Sequence, residues 1–195
     1  MNMRRRDLAF TSAEAVLAAC LAVLLLLVLF ASLPSITVGG GPGLMTEVLS
    51  KMRRLQIATK QMSLDDRDAE WTCNQGKPMR YADWTNRLVT GGYVSAKDMA
   101  LFTSAQEYGA FWFTPLTTNA LTVFAVENPD ADSTLLLATR NWHGPAAPNL
   151  AGLPFQKRGF IVFRKGGDGA ILLNSQCQRT DLIGSGGKFN YLPLP

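Results

Sequence analysis

The chain has 195 residues, a formal net charge of +4 and three cysteines. Arg4, Arg5, Arg6 and Asp7 carry +2 of that charge; the chain beyond residue 9 is mildly basic and holds no dense Lys/Arg stripe, so the sequence offers no direct evidence of a nucleic-acid partner. With the apolar amino-terminal stretch set aside, about 150 residues remain, enough for one modest soluble domain.

Three arginines stand before the string Ala9-Phe10-Thr11-Ser12-Ala13-Glu14, and no charged residue then appears before Glu47. Ala15 to Leu33 is a run of nineteen uncharged, mostly aliphatic residues. As a helix rising about 1.5 Å per residue, it matches the thickness of a bilayer core. The arginines ahead of it keep the amino terminus in the cytoplasm and send the rest outside. A secretory signal peptide fits poorly, because the apolar core exceeds the usual length of about 7–15 residues and no small-x-small site follows Leu33. Leu17-Ala18-Ala19-Cys20 has the outline of a lipobox, yet most of the apolar core follows Cys20 instead of preceding it. Glu14 is a lone carboxylate at the head of this segment, costly in lipid and in need of a reason.

The segment resembles the amino terminus of type IV prepilins and type II secretion pseudopilins. That family has a short basic leader, then usually Gly-Phe-Thr-Leu-Ile-Glu, then an apolar helix. Phe10, Thr11 and Glu14 match at the same spacing. Ala9 replaces the usual glycine, Ser12 and Ala13 replace larger aliphatics, and Pro34 sits slightly late for a proline often found there. The resemblance implies that a prepilin peptidase cuts between Ala9 and Phe10 and methylates the new amine of Phe10. It also implies that Glu14 pairs, in the fibre, with the Phe10 amine of an adjacent subunit. A buried charge left alone is expensive, so such pairing makes Glu14 a register device; the plainer alternative is an interfacial glutamate that snorkels to headgroups. A weaker likeness, to pilin-like proteins with one short head, runs through Arg53 to Ala58, Asp65 to Asp68 and Trp84 to Leu88.

The implied fold is α+β and pilin-like: a long N-terminal hydrophobic helix, interrupted near 34–43, packed on a small antiparallel β-sheet head. The implied division is a cleaved cytoplasmic leader over 1–9, a transmembrane and assembly helix over 10–33, a Pro/Gly linker or hinge over 34–43, and an extracytoplasmic head over 44–195. The implied function is that of a structural subunit, not an enzyme, of a type IV pilus or a type II secretion pseudopilus. It would wait as a single-pass protein of the bacterial inner membrane, partnered by prepilin peptidase, membrane lipid and other pilin or pseudopilin subunits, with no cofactor and no metal. The alternative is a single-pass anchored protein with a non-catalytic binding head.

Pro34 to Gly43 holds two prolines and four glycines and interrupts any helix. Leu44, Val48, Met52, Leu55, Ala58 and Met62 then recur at spacings of three and four, with Lys51, Arg53, Arg54 and Lys60 between them, which predicts an amphipathic helix over 44–63 lying on a sheet. Asp65-Asp66-Arg67-Asp68-Ala69-Glu70 reads as a polar turn; it lacks the spacing and glycine of an EF-hand. Tyr81, Trp84 and Leu88 predict a short helix over 80–90 ended by Gly91-Gly92, and 96–102 is a second candidate. Strands are expected at 120–126, 134–138, 159–163 and 170–173, as two antiparallel hairpins spanning about 120–138 and 159–173. The Pro-, Gly- and Asn-rich stretch 142–154 joins them as a loop, and 184–188 is a turn.

Cys73 and Cys177 lie in the exported part. They either form a disulfide, which would close about a hundred residues and contribute up to roughly 4–5 kcal/mol, or stand as separate thiols. No catalytic residue emerges. His143 is the only histidine, so a His-centred triad would rest on this single loop residue, which reads as a polar loop side chain. Gly166-Gly167-Asp168-Gly169 lacks the Lys-Ser/Thr of a phosphate loop and reads as a hairpin turn. Trp71, Trp84, Trp112 and Trp142 read as core or interface anchors, and Phe111-Trp112-Phe113 as either a buried segment or an interaction patch.

Overall fold

A computed structural model describes residues 42–65, 69–103, 119–184, 189–190 and 192, all within the compact unit Gly39–Pro195. Helix α1 spans Pro42–Asp65. It begins two residues before the predicted start, so Pro42 and Gly43 belong to the helix and not to the linker. Proline suits a first helical position, where its missing N–H has no intrahelical partner to lose. Leu44, Val48, Met52, Leu55, Ala58 and Met62 are all buried, while Arg53, Arg54 and Lys60 face solvent. Full burial of each such side chain stabilises by about 1.5–3 kcal/mol before entropy is counted. The Lys51–Glu47 pair, 2.8 Å apart on the solvent side, adds little.

The sheet beneath α1 is a four-stranded antiparallel meander in the order β4 (Leu121–Val123), β5 (Leu135–Thr139), β6 (Phe160–Arg164), β7 (Gly169–Leu172). Registers such as Val123↔Leu137, Ala138↔Val162 and Ile161↔Ile171 fix which side chains meet the helix. Strand β6 shows the period-2 rule: Ile161 and Phe163 join the cluster with α1, and Phe160 and Val162 join a second cluster. A register shift between Leu135 and Leu137 bulges β5, and all five of its residues are buried.

The second cluster is covered mainly by irregular chain, through Trp142, Leu150 and Cys177, and by one short helix, through Ile183. Trp142 stacks on Phe160 at 5.7 Å with planes 10° apart, and its Nε1 donates to the Cys177 carbonyl at 2.9 Å. Irregular backbone buried this way needs partners. Asn141, fully buried, supplies them: its Nδ2 donates to the carbonyls of Gln156 (2.9 Å) and Gly159 (2.8 Å). Arg164 does the same at the far end, donating to the carbonyls of Leu182 and Ile183 in the short helix α4 (Thr180–Ile183) and pairing with Asp168.

Along the chain, a second sheet and two short helices come between α1 and the meander. Strands β1 (Ala69–Glu70), β2 (Cys73–Asn74) and β3 (Lys77–Pro78) form an antiparallel sheet absent from the sequence reading. It is tied to the larger sheet by Thr72, whose N–H donates to the Val126 carbonyl (3.2 Å) and whose hydroxyl donates to the Phe124 carbonyl (2.7 Å) and accepts from Val126 N–H (2.7 Å). Helix α2 (Tyr81–Thr90) buries Trp84 and Leu88 and stops at Gly91-Gly92. There Tyr93 N–H reaches the Leu88 carbonyl and Gly92, at φ 76°, lets the chain turn left-handed. Helix α3 (Ala96–Thr103) is capped by Ser95, which accepts from Asp98 N–H (3.0 Å) and donates to the Asp98 carboxylate (2.7 Å).

The α+β class and the two hairpins agree with the sequence reading; the expected pilin-like arrangement does not. The helix on the sheet is charged along its solvent face, starts at Pro42, and shares the unit with two antiparallel sheets instead of one. Among the described residues no helix is long and apolar enough to cross a membrane. The predicted apolar helix over 10–33, and with it Ala9, Phe10 and Glu14, lies outside the described residues. Of the two alternatives for Cys73 and Cys177, the structure has separate thiols: Cys73 is buried in the cluster with α1 and Cys177 in the second cluster. Cys177 Sγ instead lies 3.2 Å from the Pro148 carbonyl, as a weak donor.

Candidate functional site

The edge of β4 is where side chains from distant segments converge. Beyond this strand the carboxy-terminal segment adds two ladder-like bonds, Ala125 N–H to the Asn190 carbonyl (2.6 Å) and Leu192 N–H to the Val123 carbonyl (2.8 Å). A groove of about 460 Å³ opens there. Tyr81 reaches it from the start of α2, Leu121 to Phe124 from β4, and Arg140, Trp142 and His143 from the turn after β5; Phe189 and Leu192 close the far side.

The groove is aromatic at its base and polar at its rim. Trp142 and Phe124 are 3% exposed, with their ring centres 6.0 Å apart, and Phe189 meets Trp142 edge-on at 6.0 Å. Tyr81 lies 5.7 Å from Trp84. Burial pushes the Tyr81 phenol up to about 12, and a hydrogen bond with Thr103 pulls against that rise. Tyr81 is therefore a neutral hydroxyl at physiological pH. His143 is exposed, with Nε2 3.1 Å from the Ala151 carbonyl, and Arg140 sits exposed at the mouth, 3.4 Å from the Asn119 carbonyl.

Among the described residues no carboxylate lines this groove. They offer flat apolar contact, the Arg140 cation, and hydroxyl and imidazole hydrogen bonds. Among the described residues no group of three or more His, Cys, Asp or Glu gathers as metal ligands. Asp66, Arg67 and Asp68 of the acidic turn, and Phe111-Trp112-Phe113, lie outside the described residues.

Sequence reading located Trp142 as an anchor and His143 as a loop side chain. It did not join them to Tyr81 and Phe124, which come from separate elements and carry no shared spacing. The Gly166–Gly169 stretch forms the β6–β7 turn, with Gly167 at φ 95°. Lys165, before it, is 7% exposed and donates through Nζ to the carbonyls of Asn128 (2.7 Å) and Asp130 (2.6 Å), 5.5 Å from the centre of the Trp71 ring. That lysine joins two turns and is not offered to a phosphate. Comparison of the chain with protein-family models, curated proteins and solved structures gives no match.

Proposed function

We propose that this chain is a structural subunit of a type IV pilus-like or type II secretion pseudopilus fibre, anchored in the bacterial inner membrane by its apolar segment before assembly. One observation carries the reading: Phe10-Thr11-x-x-Glu14 stands between Arg4–Arg6 and the uncharged run Ala15 to Leu33. Prepilin peptidase would cut between Ala9 and Phe10 and methylate Phe10. Glu14 would then find its counter-charge on the Phe10 amine of a neighbouring subunit, so that only the correct stagger relieves a carboxylate in lipid. The α+β unit would form the extracytoplasmic head and determine lateral packing.

Glu14→Ala tests the register role. The variant is expected to insert in the membrane as the parent does and to be lost from sheared fibres. Incorporation at the parent level contradicts the role. A second reading, a non-catalytic binding head on an uncleaved anchor, has the aromatic groove beside β4 in its favour. It predicts a chain that keeps Arg4–Arg6 and enters no fibre.

A further inference from the structure

A second concavity, about 610 Å³, lies between the β2–β3 turn and α2. Lys77, Arg80 and Arg87 line it against a single carboxylate, Asp83. Lys77 and Arg80 are exposed and enter no ion pair among the described residues. The cleft thus presents excess positive charge. An acidic peptide turn supplies the complementary carboxylates.

The chain carries such a turn. Asn128, Pro129, Ala131 and Asp132 are exposed, and Asp130 is half-buried. Asp130 and Asp132 give this turn its charge, the Asp130 carboxylate also accepting from Glu127 N–H at 2.8 Å. Lys165 holds the turn from below through the Asn128 and Asp130 carbonyls, and the nearby Asp168 is paired with Arg164. We infer that the basic cleft at Lys77 and Arg80 receives the acidic Asn128–Asp132 turn of a second copy of this chain. Each copy holds one cleft and one turn, so the contact is head-to-tail; repeated, it gives a ring or an open helical filament. The inference rests on the fibre reading and names the head contact within it.

The test uses the full chain in membranes, prepared as a mixture of unlabelled and isotope-labelled copies. A zero-length carbodiimide activates a carboxylate, the amine displaces the activated oxygen to form an amide, and the carbodiimide leaves as a urea. The expected product is a mixed-isotope cross-link between Lys77 and Asp130 or Asp132. Arg80→Glu is expected to lower its yield about tenfold, the scale of a close interfacial charge pair. Adding Asp132→Arg to Arg80→Glu is expected to restore the yield, read at Lys77–Asp130. Unchanged thermal unfolding of both variants excludes misfolding as the cause. Absence of the cross-link between copies, its capture by a different protein, no effect of Arg80→Glu, or no rescue overturns the inference. If the mature chain begins at Phe10 and the cross-link is missing, the contact fails while the fibre reading stands. A chain still starting at Met1 removes the fibre reading whatever the cross-link shows.

Discussion

Replacing Lys165 by Met keeps the length and apolar stem of the side chain and deletes its ammonium. Two bonds of 2.7 and 2.6 Å to the Asn128 and Asp130 carbonyls go with it, as does the contact with the Trp71 ring at 5.5 Å. Hydrogen bonds to a charged donor contribute about 1.5–3 kcal/mol each, and a partly desolvated cation–π contact about 0.5–2 kcal/mol. Against this stands the relief of returning a buried cation to water, several kcal/mol by itself. Asn128 is exposed, so its carbonyl regains a water in the variant, whereas the Asp130 carbonyl lies in a half-buried residue. The balance is a net loss of about 2 kcal/mol. For a unit of about 150 residues this lowers Tm by roughly 4–8 °C. The assay is thermal unfolding of the full chain in detergent, followed by near-ultraviolet circular dichroism. A Lys165→Met protein that melts at or above the parent temperature refutes the reasoning, since the desolvation of the ammonium would then outweigh all that it holds.

Three further outcomes are expected. Tyr81 ionises near pH 10 in the unfolded chain but is pushed up to about 12 in the fold, by burial. The folded state therefore holds its proton more tightly; the contribution is intact below pH 10 and is lost as pH rises toward 12. Denaturant midpoints measured across that window are expected to fall more steeply for the parent than for Tyr81→Phe, and equal slopes would contradict the assignment. Gly169→Ala places a methyl about 2.5 Å from Phe163 Cδ2 and 2.6 Å from Leu49 Cδ1, and is expected to cost about 1–3 kcal/mol in the same melts. Gly43→Ala, facing open space in the first turn of α1, is expected to be neutral or to stabilise by up to about 1 kcal/mol.

The elements that sequence made legible are those with a long or clean period. Six apolar positions spaced by three and four marked α1, and Phe160 to Phe163, flanked by glycines, marked β6. Strands β1 to β3 have two residues each, too short for any alternation to register. They arise from turns in which Trp71 (φ 53°) and Gln75 (φ 49°) adopt positive φ, a conformation that neither residue type announces. The cover over the second cluster was illegible for a related reason: Trp142 and Leu150 are buried on irregular chain, held by Asn141 and not by a repeating pattern. Sequence also could not say that Cys73 and Cys177 belong to different clusters. The groove beside β4 depended on the register of β4 with β5 and on where Asn190 and Leu192 return, neither of which is a local property.

The fibre proposal begins with a proteolytic event between Ala9 and Phe10, which the resemblance to prepilins implies. Intact mass and amino-terminal sequencing of the chain purified from a host with active prepilin peptidase read it directly. The expected species starts at Phe10 and carries one methyl group on its new amine. A chain that still starts at Met1, or one trimmed at Cys20 or beyond Leu33, contradicts the account.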